Sequence, residues 1–151
     1  MMFQYINSSA VLAAAIAAHI FGWLWYSPAL FKKEWLHSLG KTLEDKLSSK
    51  GEQMRTIIYG FMVNLVMAYG IAVFLALVIP DTFALSLEIG MLICFAFVIT
   101  TRFTELLYES HEPHWSKKPQ KLFLITVGYQ LGNFLIMTAV IWYMSYGMHL
   151  Q

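Results

Sequence analysis

The sequence predicts an all-α integral membrane protein, a four-helix bundle with an interfacial amphipathic helix after its first span. Three observations carry that prediction. Of the 151 residues, 58% are hydrophobic and only 13% charged, a balance that leaves too little polar surface for a water-soluble fold. Four apolar stretches, about 8–27, 57–79, 83–108 and 122–146, are each long enough at ~1.5 Å per residue to cross a ~30 Å hydrocarbon core. All ten Lys and Arg residues fall between Lys32 and Arg55, after the first stretch, or between Arg102 and Lys121, at the end of the third stretch and after it. The positive-inside rule therefore predicts cytoplasmic loops at 28–56 and 109–121, both termini outside the cytoplasm, and the cell's inner membrane as location.

Four spans and two loops use up residues 1–151 as a single membrane domain, leaving no room for a soluble catalytic domain. A net charge of +1 offers no basic field for nucleic acid, so the expected partners are the lipid bilayer and a second copy or another membrane protein. The lone Cys94 inside an apolar run cannot form an intrachain disulfide. The Ala-rich run from Ala10 to Ala18 resembles a secretion signal, yet Met1 to Asn7 lacks a basic segment, so the run is expected to stay as the first span.

That span ends in a Trp/Tyr-rich corner, Trp23, Trp25, Tyr26, Ser27 and Pro28. Ser27-Pro28 reads as an N-cap followed by proline at the first helical position, so the chain is expected to bend and restart there. In the new helix Leu30, Phe31, Trp35, Leu36 and Leu39 form an apolar side while Lys32, Lys33 and His37 face headgroups, and Gly40 ends it. Thr42-Leu43-Glu44-Asp45 has the form of a capping box opening a short polar helix. The brief Pro80-Asp81 turn makes the second and third spans antiparallel neighbours by expectation.

Within the spans, small residues recur every four positions: Ala10, Ala14, Ala18 and Gly22; Gly60, Asn64, Ala68, Ala72 and Ala76; Ser86, Gly90 and Cys94. Gly128 and Gly132 add a GxxxG. Such stripes let helices approach closely in lipid, and tight packing accounts for most of them.

Polar groups inside a span are more informative, because each is costly without a partner or water. Counted from the loop ends, His19, Asn64 and Gln130 all sit ~10 to 12 Å deep, with Asn133 one turn further in. Arg102 and Glu105, three apart near the same end, are spaced for an intrahelical ion pair. Two readings compete. In one, the amides and imidazole only fix the register of the bundle; in the other, they line a path or pocket, with a histidine able to change charge near neutral pH. Glu88 belongs either to the outer part of the third span or to the turn before it.

His111-Glu112-Pro113-His114, downstream of Glu105 and Glu109, supplies zinc-type ligands but not the fixed set of three or four a zinc site needs. His111 and His114 are thus weak metal candidates, and a solvated loop anchored by Trp115 explains them more simply. No catalytic triad, phosphate-binding glycine loop or redox cysteine pair is present, and no cofactor is expected.

A faint internal echo links Leu24-Trp25-Tyr26-Ser27 to Leu107-Tyr108-Glu109-Ser110, and Asn64-Leu65-Val66-Met67 to Asn133-Phe134-Leu135-Ile136-Met137. A parallel two-helix repeat fits it, and so does coincidence among apolar segments. The run Gly22 to Trp35, together with Lys121-Leu122-Phe123-Leu124-Ile125 leading into Gly128-Tyr129-Gln130, resembles the small bacterial and fungal membrane proteins grouped as domain of unknown function 1761. The resemblance implies a compact four-span bundle and no activity, and the His111 to Lys118 segment departs from it.

The leading expectation for function is a small transport or channel-like membrane component whose His19 layer contacts an ion or solute. Its rivals are a structural or regulatory membrane protein and, third, a lipid-modifying enzyme using Glu105, His111 and His114. A non-enzymatic role is expected, with no catalytic residue assigned.

Overall fold

The computed structural model describes residues 6–41, 50–109 and 119–147. The described chain is helical throughout, with no strand. Its elements are α1 (Ser8–Trp25), α2 (Lys32–Ser38), α3 (Lys50–Val78), α4 (Phe83–Ile93), a π-helical segment (Cys94–Ile99), α5 (Thr100–Glu109) and α6 (Pro119–Ser145). Four helical stretches are long and apolar enough to cross a membrane: Ser8–Trp25, Gly51–Val78, Phe83–Tyr108 and Gln120–Ser145.

Helix α1 starts where the Asn7 side chain accepts a hydrogen bond from the Ala10 amide at 3.1 Å. The other end of that side chain donates to the Met144 carbonyl, fastening the start of α1 to the end of α6. One face of α1, made of Ala10, Ala14, Ala15 and Ala18, is fully buried, while Leu12, Ile16 and Ile20 point outward. Against that face pack α6 and α3. The core continues through Ala68, Ile71, Ala72 and Leu75 of α3, Cys94, and Phe134, Met137 and Ile141 of α6. The small-residue stripes are therefore the surfaces along which the helices meet, as their spacing predicts.

The corner after α1 differs from expectation. The second helix begins at Lys32, not Pro28, and its N-cap is Phe31, without a side-chain cap bond. Successive turns fill the gap: the Ser27 carbonyl accepts from the Leu30 and Lys32 amides, and the Trp25 carbonyl from the Phe31 amide. Ser27 thus closes the turn through its backbone, and its hydroxyl has no hydrogen-bond partner. At the far end, Gly40 adopts a left-handed φ of 72°. Its amide bonds the His37 carbonyl while the Lys41 amide bonds that of Leu36, the Schellman closure that glycine permits. Helix α2 lies against α6, tied to it by a Glu34–Lys121 ion pair, with Lys33 and His37 exposed.

Helix α3 begins seven residues before the predicted span, because Glu52, Gln53, Met54 and Arg55 are good helix formers that help carry the helix ~10 Å beyond the apolar zone. It stops where Pro80 disfavours helical geometry at Ile79, which takes φ 50°. Thr82 then caps α4 by accepting from the Leu85 amide. Despite the short turn, α4 packs chiefly against α6 rather than α3, which corrects the expected pairing of the second and third spans. A short connection brings two helix ends together but does not decide which faces match. Here Gly90 of α4 sits against Thr138 of α6, a contact that α3 does not offer.

The third span is interrupted by the π-helical turn at Cys94–Ile99, which the sequence did not reveal. The wider turn weakens the regular ladder, and hydroxyls make up the difference: Thr100 donates to the Ala96 carbonyl at 2.5 Å and Thr101 to that of Phe97 at 2.6 Å. The Thr42–Asp45 capping box and the His111–His114 segment lie outside the described residues.

Candidate functional site

Three helices bring the buried polar groups together at one level. Asn64 of α3 is the hub. Its Oδ1 accepts from Asn133 Nδ2 of α6 at 3.1 Å, its Nδ2 lies 3.4 Å from His19 Nδ1 of α1, and the Tyr129 hydroxyl sits beside it. Asn64 and Asn133 are 4% and 0% exposed, so in this low-dielectric setting each bond matters. The imidazole of His19 is held between Trp23, at a ring distance of 5.5 Å, and Phe61, edge-on at 5.7 Å. Its Nε2 is buried without a hydrogen-bond partner.

On the loop side of this cluster the bundle opens. A cavity of about 590 Å³ runs between α1, α2 and α3 with Tyr129 of α6 on one wall. His19 and Asn64 stand at its inner end, Gly22, Trp23, Ile57 and Gly60 along its sides, and Tyr26, Lys32, Gln53 and Thr56 toward the loops. From Gln53 to Asn64 the cavity follows α3 for ~16 Å. Its volume falls within the ~300 to 1,000 Å³ of small-molecule sites. Two glycines make the space: a Cβ at Gly60 would stand 3.6 Å from the His19 ring, and one at Gly22 would stand 3.2 Å from the Tyr129 hydroxyl.

The aromatic corner docks on α6, and its Trp23 and Tyr26 line this cavity. Trp25 donates its indole N–H to the Ile125 carbonyl at 3.1 Å and packs against the tilted Phe31 ring at 4.5 Å. Phe21 and Trp25 insert into the notches left by Gly132 and Gly128, where an added Cβ would lie 2.5 Å and 2.9 Å from their rings. The GxxxG of α6 therefore receives two aromatic side chains one turn apart on α1. Tyr26, just beyond α1, packs between Trp35 and Tyr129. Burial pushes its phenol up from 10.0 to about 12; Tyr129 adds to the rise and the Arg102 guanidinium opposes it.

Not every residue singled out from the sequence belongs to this site. Gln130, one residue past Tyr129, does not line the cavity, and its Oε1 is buried without a partner. Arg102 and Glu105 form the expected intrahelical pair at 2.7 Å, but with side chains 43% and 37% exposed and beside a separate 60 Å³ cleft near Phe123 and Thr126. Such an exposed pair adds little stability. Glu88 lies in the second turn of α4, exposed. No metal-binding group of three His, Cys, Asp or Glu occurs among the described residues, and His111 and His114 fall outside them.

Sequence reasoning missed the cavity's outer half. It assigned Lys32 to the headgroup face and began the second span at Ile57, which cut off Gln53 and Thr56. The signal was present: Thr56, Gly60 and Asn64 continue one four-residue stripe, and Gly22 and Tyr26 another.

Together, four apolar helices, a short helix packed on α6 and a cavity at the loop end with polar groups at its inner limit define a multi-pass α-helical membrane bundle. Residues 9–142 match the model of the family described as protein of unknown function (DUF1761), and the chain belongs to that family. No curated protein and no solved structure matches it.

Proposed function

We propose that this chain is a small transport or channel-like membrane component that binds its solute in the loop-end cavity, with His19 at the inner limit. The observation that supports this most is the cavity itself, which reaches the imidazole of the buried polar cluster. An intramembrane ionisable group beside open space is a functional candidate by default, because a purely structural histidine would be expected to have both ring nitrogens satisfied. The same reading puts the loop end in the cytoplasm and both termini outside, in the inner membrane.

A structural or regulatory role is the second reading, favoured by the hydrogen bonding of Asn64 across three helices. Reconstituted vesicles separate the two. Wild-type protein should conduct or exchange a small solute, and His19→Gln, whose amide can replace the imidazole's hydrogen bonds, should fold normally yet lose that flux. No wild-type flux across a panel of small ions and organic solutes would leave the structural reading standing. Cysteine labelling of intact cells at Gln53 and Asp81 tests the orientation, with Gln53 protected and Asp81 reactive.

A further inference from the structure

We infer that the ligand of this cavity is an organic monoanion, its acidic group meeting the Lys32 ammonium at the mouth and its uncharged body lying against Trp23 and Ile57 toward His19. This rests on the proposed solute-binding role and names the chemical class the site would take.

Charge carries the argument. Among the described residues lining the cavity Lys32 is the only one with a permanent charge, and no Asp or Glu is among them. The nearest acidic neighbour in sequence, Glu34, reaches away from the cavity to Lys121 of α6, and Lys32 has no carboxylate partner among the described residues. A cationic ligand would add its charge to an uncompensated ammonium in a partly desolvated space. A dianion would leave one negative charge unmatched. A single negative charge balances the site.

The remaining walls fit the rest of such a molecule. Trp23 and Ile57 offer apolar surface, and Trp23 is 60% exposed although it lines the cavity. His19 and Asn64 line the inner end, where a hydroxyl or carbonyl of the ligand would meet polar side chains. A carboxylate on an aromatic or short aliphatic body and the phosphodiester of an anionic lipid share this chemistry.

The test uses purified full-length protein in neutral detergent, with thermal unfolding followed against phenylacetate, its cationic counterpart 2-phenylethylammonium, phosphatidylglycerol and phosphatidylcholine. Saturable stabilisation by phenylacetate or by phosphatidylglycerol is expected, and which of them acts distinguishes a soluble anion from a lipid headgroup. Lys32→Gln should weaken that binding roughly tenfold or more, the worth of one charge-assisted contact. Lys32→Arg should retain it, and so should Lys33→Gln, which removes the same charge from an exposed neighbour. Equal losses in Lys32→Gln and Lys33→Gln would mean diffuse surface attraction and overturn the assignment. Binding of 2-phenylethylammonium that depends on His19 but not on Lys32 would overturn the anion while preserving the cavity as a solute site. If neither anionic probe binds, the inference fails; if vesicle flux is absent as well, the solute-binding role fails with it.

Discussion

Asn133 donates its side-chain amide to the Oδ1 of Asn64, 3.1 Å away, in a part of the bundle where neither residue reaches the surface. The two asparagines also occupy matching positions in the two segments that echo one another in sequence. Their meeting is what a two-helix repeat would produce at its axis. The helix pairs around them are less symmetric, since α1 packs closely on α6 whereas α4 favours α6 over α3.

Because Asn64 also serves His19 and Tyr129, the two asparagines should respond unequally to mutation. Asn133→Leu breaks one interhelical bond, worth ~0.6 kcal/mol on average in membranes. Asn64→Leu strips partners from several buried groups and is expected to cost about 1–3 kcal/mol. Unfolding of both variants in mixed micelles measures the difference; equal losses would remove Asn64 from its place as the hub.

The aromatic notches on α6 give a second prediction. Gly128→Ala places a methyl 2.9 Å from a Trp25 ring that its hydrogen bond to Ile125 prevents from swinging aside. Overpacking of this kind typically costs about 1–3 kcal/mol. Gly70→Ala, with nothing within 4 Å of the new methyl, should be neutral or stabilising by up to ~1 kcal/mol. Thermal unfolding of the two variants should therefore move in opposite directions.

Gly90 and Thr138 should behave as a coupled pair. A methyl on Gly90 would overlap the Thr138 side chain, whose hydroxyl is buried without a hydrogen-bond partner. Gly90→Ala alone should be strongly destabilising, and adding Thr138→Ala should recover much of the loss, with a coupling of about 0.5–3 kcal/mol. Simple additivity in the double-mutant cycle would mean that this crossing is not the tight point between α4 and α6.

Tyr26 makes an alkaline prediction. Its phenol is raised to about 12 in the folded protein from 10.0, so burial favours the neutral form. The stability this contributes is fully present below pH 10 and is lost as pH rises through about 12. Tyr26→Phe should flatten that alkaline decline and remove one late-titrating phenol from the ultraviolet absorbance curve. An unchanged alkaline decline in stability would place Tyr26 in water.

The spans could be read directly because lipid imposes one requirement, a long apolar run, that is written residue by residue. The interiors of α1 and α3 were equally legible, since Ala14, Ala18, Ala68 and Ala72 repeat at the helical period. Interruptions were harder. Nothing in Cys94 to Ile99 spells a π turn. Ser27-Pro28 carried a capping signature, yet Trp25 docks on α6 and Phe31 packs on Trp25, and the helix starts only at Lys32. The depth of His19 and Asn64 was countable, but helix rotation was not, which is why Gln130 was grouped with them and Lys32 was not.

The indole of Trp25 reaches a carbonyl at Ile125, one hundred residues later in the chain. At ~5–20 residues per second, a ribosome takes roughly 5–20 s to deliver that partner after Trp25 has been made. For that interval the first helix waits in the bilayer without the glycine notches that receive its rings. Helix α3, arriving earlier, is positioned to shield His19 during the wait. The Tyr129 wall of the cavity and the Asn133 partner of Asn64 arrive only with the last helix, so an incompletely translated chain would leave His19 and Asn64 without them.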